Sequence, residues 1–527
     1  MGKNGTDMNE NTQLPQGWSS LKVFEGNSFN DLFNLDGIPL MWFYDRLFVP
    51  HVVPKQINTI EELKNNQKIS YIKRKRLILT AKIVAKYIRY NESKKYIAFI
   101  KNEKKNSKNT TDNINNKENK KALFLSYLNH YEKDKIYRIQ GIIDNLDKTK
   151  MEPYIIFADK LSSKTRDNLH NLNTLYQHID QNSSQQAQKT AKEMYIQWNK
   201  MNKKELAKII STNNQSMWPY LEPIFSLYMS EEFLYLTTLY YNTFKKIIRE
   251  ENISIAITTA QNGLFERCCL AAAKTEKIPA IFIQHGIGTI STNPNQFLNN
   301  TYLAVFGPYI KHKLIQAGMQ SKKIITTGPI VYDEIINHIK KEKNNRASNT
   351  ILIVTQPLVE DLLIEKEYYF KAIQKVIEIC LSLNFQIDLK LHPREIHLPE
   401  YNKITSLNKE KIKIHQHKNT DQLYELLSQS RVMINFRSST AILEASILNV
   451  PSITIPLVKN MPTYFKDLDP SIHLQFTDNL KNELQKVLEH PETNLKLRNK
   501  IITEFFGKID GKSSKRAAQL ILQLTNS

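Results

Sequence analysis

Cysteine is nearly absent: Cys268, Cys269 and Cys380 are the only three in 527 residues, too few for a disulfide framework and without a CxxC pair for a metal. A reducing compartment is therefore expected. The 14 glycines nowhere form GxGxxG or GxxxxGK, which disfavours a dinucleotide fingerprint and a P-loop. No metal-ligand cluster occurs, so no metal is expected. Also missing is any uninterrupted run of about 18 apolar residues, the length a membrane helix needs. The opening MGKNGTDMNENTQLPQGW has no apolar core of a secretory signal. The expectation is a cytoplasmic protein without a resident cofactor. RNP, zinc-finger and helix-turn-helix signatures are absent as well, so nucleic acid is not an expected partner, although a basic nucleic-acid-binding protein remains the rival from another class.

Negative charge is the scarcer sign, with 52 Asp+Glu against 73 Lys+Arg and a formal charge of +21. That excess invites anionic partners and suits peripheral contact with an anionic inner leaflet. Part of it sits in KNEKKNSKNTTDNINNKENKK (101–121), which reads as a solvated insertion. Hydrophobic residues make up 41% and charged ones 24%, an ordinary globular balance. A chain of this length outgrows one core, and two domains of roughly 150–300 residues are expected.

From about residue 250 short apolar runs alternate with helical periods, the pattern of parallel strands with crossover helices. ISIAITT (253–259), PAIFIQHG (279–286), YLAVFG (302–307) and KIITTGP (323–329) read as strands, with a helix over 263–277 and another stopping at Gly318. NHIKKEKNNRASNT (337–350) reads as a linker. Beyond it ILIVTQP (351–357), QIDLKLHP (386–393), KIKIHQ (412–417), VMINF (432–436) and PSITIPL (451–457) are strands, with helices over about 362–383, 420–429 and 439–449. Upstream, 122–131 and 152–158 read as strands, 76–88 as strand or helix, and the aromatic segment 221–250 as one long helix whose rings pack. The expected fold class is α/β with two Rossmann-like domains, an N-terminal one over 1–336 and a C-terminal one over 351–527 that ends in helices.

Ligands of such sheets lie outside the carboxyl ends of the strands. His392 and Pro393 end QIDLKLHP there, placing an imidazole where it meets a phosphate, although a lone His-Pro pair also reads as an ordinary capping histidine. In NFRSSTAILEA (435–445) a strand gives way at once to a helix. Ser438, Ser439 and Thr440 supply hydroxyls where the free N–H groups and helix dipole favour an anion. Glu444 follows on the same helix, within reach of sugar hydroxyls. In IFIQHGIG, His285 ends a strand of the first half, with Gly286 letting a backbone approach. Gln284, Thr355, Gln356 and Arg394 are expected to line the same pocket. DLD (467–469) resembles a metal-binding aspartate pair but lacks a supporting strand and loop.

The HP of LKLHPRE followed by the SS of FRSSTAILEA resembles the motifs of bacterial GT-B transferases with cytidine-nucleotide donors: sialyltransferases, capsular Kdo transferases and CDP-glycerol glycerophosphotransferases. The resemblance spans about 250–460 and implies that His392, Ser438 and Ser439 hold donor phosphates. FIQHGIG is similar to the histidine-glycine element of the glycerophosphotransferases, which implies His285 as general base. Glu444 sits like the ribose-binding glutamate of UDP-GlcNAc 2-epimerases and related GT-B enzymes. The implied activity is metal-independent transfer of a sugar or glycerophosphate from a CMP- or CDP-linked donor to a hydroxyl of a surface glycan or lipid-linked acceptor, as in capsule polysaccharide biosynthesis. A 2-epimerase acting on a UDP-sugar is the alternative on the same fold.

Overall fold

The computed structural model describes residues 32–44, 120–132, 135–158, 172–204, 211–212, 215–216, 218–260, 263–286, 297–339, 349–361, 363–406, 408–416, 420–437, 439–458, 472–490, 499–500 and 502–526, with the single residues 29, 79 and 207. Most of the insertion expected at 101–121, the ambiguous stretch 76–88 (except Leu79), the DLD at 467–469 and Ser438 lie outside the described residues.

The first sheet has six strands, β1 (Lys121–Ser126), β2 (Glu152–Phe157), β3 (Ile253–Thr258), β4 (Ala280–Ile283), β5 (Thr301–Val305) and β6 (Ile324–Thr326). They lie in the order β2-β1-β3-β4-β5-β6 with every neighbouring pair parallel. The second sheet has β7 (Thr350–Val354), β8 (Gln386–Lys390), β9 (Ile412–His415), β10 (Val432–Asn435), β11 (Ser452–Thr454) and β12 (Ile472–His473). Its order is β9-β8-β7-β10-β11-β12, again all parallel. These are the two common doubly wound orders, and each has one place where the winding reverses: between β1 and β3, and between β7 and β10. Strands covered on both faces are mostly apolar, which is why β4 reads AIFI and β10 VMI before the polar Asn435, with every residue buried. Two such domains are the GT-B architecture that the resemblance implies.

Crossover helices complete each layer: α1 (Gln140–Asn145), α2 (Gln181–Lys200), α3 (Trp218–Tyr228), α4 (Glu231–Glu250), α5 (Leu264–Thr275), α6 (Pro308–Gln316) and α7 (Asp333–Ile339), then α8 (Lys366–Ser382), α9 (Leu398–Thr405), α10 (Thr420–Ser428), α11 (Thr440–Ile447), α12 (Leu480–Glu489) and α13 (Ser513–Asn526). The single helix expected over 221–250 is instead two. Ser230 is extended at φ −72°, ψ 152°, and Glu231 and Glu232 then favour a fresh helix start. Its aromatics pack as expected, with Tyr228 stacked on Tyr44 at 4.8 Å. Gly318 supplies the positive φ, +95°, that ends α6. Residues 337–339 of the expected linker complete α7.

The last helix crosses back. Ala517, Ala518 and Ile521 of α13 are buried in the core under the first sheet, Asp333 accepts from the backbone N–H groups of Ser513 (3.0 Å) and Ser514 (2.6 Å), and Arg516 Nε donates to the Thr327 carbonyl at 2.6 Å. Just before it, Phe505 and Phe506 press so closely on Gly307 that a Cβ there would lie 2.2 Å from the Phe505 carbonyl oxygen. Residues assigned by sequence to the second domain thus bind the first. Among the described residues, no helix is long and apolar enough to cross a membrane.

Candidate functional site

The winding of the second sheet reverses between β7 and β10, and the residues that follow these strands and β8 build one site. After β7 comes Thr355, fully buried. Its hydroxyl accepts from the His392 N–H at 3.2 Å and donates to the Glu395 carboxylate. Glu395 also accepts from the His392 N–H at 2.6 Å and from the Tyr401 and Tyr369 hydroxyls. The glutamate behind the HP pair therefore folds back and pins the turn. Burial raises its pKa, while Thr355, Tyr401 and the His392 N–H oppose the rise.

His392 is half-buried, and its Nδ1 accepts from the Arg394 N–H at 3.2 Å. In the neutral ring that fixes the proton on Nε2, leaving an N–H donor for an anion. Burial first, then the Arg394 charge, lowers its pKa to about 4. The imidazole is thus neutral at pH 7 and presents an N–H that can donate. The Arg394 guanidinium is paired with Asp361 at 2.7 and 3.2 Å, so its charge reaches the site partly neutralised. Asp361 also lies 3.9 Å from Arg437, next to the turn at the start of α11.

Ser439 caps α11 with φ −147°, ψ 164°, yet its hydroxyl makes no capping bond. That Oγ is buried and unpartnered, as are Gln356 Nε2 and both side-chain polar atoms of Asn435. Thr440 opens the helix beside them. Gln356 itself braces two strand ends through Oε1, which accepts from the Phe436 N–H at 3.2 Å. Gln284 does the same in the first domain, accepting from the Phe306 N–H at 2.8 Å and donating to the Gly286 carbonyl at 3.2 Å. Its amide thus braces the end of β4 against Phe306.

Glu444, on α11, is 7% exposed and accepts from the Tyr332 hydroxyl at 3.3 Å, a contact between the second domain and the segment that follows β6 of the first. Burial raises its pKa to about 7, and the Tyr332 hydrogen bond works the other way. Its folded value stands above the ordinary 4.5, so the folded state binds the extra proton. The contribution is fully present below pH 4.5 and lost as pH rises through about 7. Glu444→Gln should flatten that limb of stability against pH, measured by urea unfolding between pH 5 and 8; an unchanged slope would refute the assignment.

The first domain contributes His285 after β4, half-buried, with a buried and unpartnered Nδ1. Burial, then Arg138 and His130, lower its pKa to about 3, against the Thr259 backbone. His130, after β1, is lowered to about 4 by burial and Arg138. Groups held below their unfolded value stabilise the fold above pH 6.5, and that contribution is lost as pH falls toward 4. His130→Asn should therefore soften the acid limb of the unfolding curve; equal acid sensitivity of variant and wild type would contradict the burial of a neutral ring. Sequence reasoning misses Arg138, Asn435, Tyr332 and Arg437. For Asn435 a signal existed, a polar side chain closing an otherwise apolar buried strand.

No family model and no curated protein matches this sequence. Among solved structures, the chain is similar to the UDP-GlcNAc 2-epimerase of Methanocaldococcus jannaschii, at 16% identity and TM-score 0.47 over 76% of this chain and 99% of that one. It is also similar to the UDP-GlcNAc 2-epimerase of Neisseria meningitidis bound to UDP-GlcNAc, at 14% identity and TM-score 0.46 over 76% of this chain and 99% of that one. A glycosyltransferase from Rickettsia africae aligns at 13% identity and TM-score 0.39, covering 78% of this chain and 99% of that one. The GT-B assignment itself stands on the two sheets and their strand orders.

Proposed function

We propose that the protein is an enzyme that binds a nucleotide-activated donor on its second domain and transfers the activated sugar or glycerophosphate to a hydroxyl of a second substrate. The observation that carries this reading is the group of buried polar atoms without partners where β7 and β10 end: Gln356 Nε2, the Asn435 amide and Ser439 Oγ. Such atoms are costly in a finished core, and a phosphate or ribose supplies what they lack. Ser439, Thr440 and the start of α11 would hold the phosphates, Ser438 with them, and the His392 Nε2–H would donate to the leaving oxygen. In the transfer, an acceptor oxygen forms the new bond as the bond to the nucleotide phosphate breaks. The acceptor proton would pass to His285 through its unpartnered Nδ1; at its lowered pKa the ring is a weak base, and an anion that offsets the Arg138 charge beside it would strengthen it.

A CMP- or CDP-linked donor follows from the resemblance to cytidine-nucleotide transferases, as does an acceptor that is a surface glycan or lipid-linked intermediate at the inner face of the membrane. Glu444 would take the ribose hydroxyls once Tyr332 gives way. A second reading, epimerisation of a UDP-sugar at C2, is favoured by one feature: a carboxyl with a pKa near 7 and a neutral histidine suit removal and return of a proton.

Incubation with CMP-, CDP- and UDP-activated donors, with product chromatography, separates the two. Transfer predicts nucleotide release that depends on an added acceptor and survives EDTA. Free epimer from UDP-GlcNAc would establish the second reading instead, and no turnover of any donor would refute both.

A further inference from the structure

Arg138 lies in the excursion between β1 and α1, at the point where the winding of the first sheet reverses. Its backbone adopts φ +75°, a conformation that costs energy for any residue with a Cβ and persists only where the surroundings enforce it. Its guanidinium stacks on the Tyr137 ring at 5.2 Å. Nε is buried and has no hydrogen-bond partner. Burial acts most strongly on its charge and lowers its pKa, opposed by Tyr137, to which the side chain also hydrogen-bonds, and by Tyr332 and Tyr127. Among the described residues no carboxylate pairs with it, whereas Arg394 and Arg437 beside the second-domain site both lie against Asp361. Around it stand His285, whose Nδ1 is also buried and unpartnered, and His130, both neutral and both under its field.

A buried guanidinium without a counter-charge is expensive, and the usual remedy is a paired anion. Three nitrogen-bearing side chains at the carboxyl ends of β1 and β4, two with unpartnered buried atoms, make a place for one. We propose that Arg138 grips an oxyanion, a phosphate or carboxylate, carried by the substrate that binds the first domain, with His130 and His285 beside it. The acceptor is on this view an anionic molecule, such as a phosphoglycerol or phosphosugar terminus, and calling it the acceptor rests on the reading above. Planar two-pronged donation is what arginine offers a phosphate and lysine does not.

The test is calorimetric titration of the full chain with sn-glycerol 3-phosphate, glucuronate, uncharged glycerol, CDP and UDP. It uses the wild type, Arg138→Gln, Arg138→Lys and Ser439→Ala, each checked for an unchanged circular dichroism spectrum. We expect an oxyanion probe to bind the wild type, glycerol not to, and Arg138→Gln to weaken the oxyanion about 10- to 100-fold, with Arg138→Lys between. Ser439→Ala should leave that binding within a few fold. Oxyanion affinity equal in wild type and Arg138→Gln, or no oxyanion binding at millimolar concentration, would overturn the proposal. If Arg138→Gln weakens CDP or UDP and leaves glycerol 3-phosphate untouched, the oxyanion is the donor's phosphate and the acceptor assignment falls. If no nucleotide binds while Arg138 still governs glycerol 3-phosphate, the proposed function fails and the oxyanion site stands.

Discussion

His392→Ala is expected to lower kcat/KM for the nucleotide donor by about 10²–10³, the loss typical of removing one donor aimed at developing negative charge. Pro393 follows the histidine, the Arg394 N–H occupies Nδ1 at 3.2 Å, and the His392 N–H is tied to Thr355 and Glu395. The ring is thus fixed in orientation and tautomer before any ligand arrives. Since its pKa sits at about 4, it contributes a neutral N–H at pH 7, and the loss on substitution should be nearly constant from pH 6 to 8. Steady-state kinetics across that range check this. A loss under about 5-fold, or one that grows steeply toward acid, would mean that the ring does not serve the leaving phosphate in this form.

Glu395→Ala is expected to destabilise the chain by roughly 3–5 kcal/mol, because each buried donor left without its acceptor costs about 1–3 kcal/mol. Thr355, Tyr401 and the His392 N–H all give their hydrogen to this carboxylate, and Tyr369 lies 3.4 Å away. Tyr369 and Tyr401 are fully buried, so water cannot easily replace the lost partner. Glu395→Gln, which keeps one acceptor oxygen, should lose about half as much. Urea unfolding measures both, and a change below about 1 kcal/mol for the alanine variant would show that the network is not what holds the turn.

The strand ends were legible because a strand buried on both faces leaves an unbroken apolar run, and its end shows as the first polar residues: TQP after β7, HP after β8, FRSS after β10. Helix α2 went unread: Ala187, Ala191, Met194 and Trp198 lie on one face and Asp180 caps its start, but a Gln- and Lys-rich surface hides that stripe. Partners across the fold were not legible. Nothing in LKLHPREI says that Arg394 turns to Asp361 while Glu395 turns inward, since both depend on where residue 361 and Tyr401 come to lie. Arg138 belongs to no motif; its conformation and its lack of a carboxylate exist only in three dimensions.

The claim on which the account depends is that the turn at the start of α11 holds a nucleotide's phosphates. Thermal unfolding of the wild type and Ser439→Ala with CMP, CDP, UDP, GDP and ADP tests it most directly, since a ligand that binds only the folded chain raises Tm. The account predicts that at least one pyrimidine nucleotide raises the wild-type Tm and that Ser439→Ala loses most of that rise. No rise with any nucleotide, or a rise that Ser439→Ala keeps in full, would contradict it.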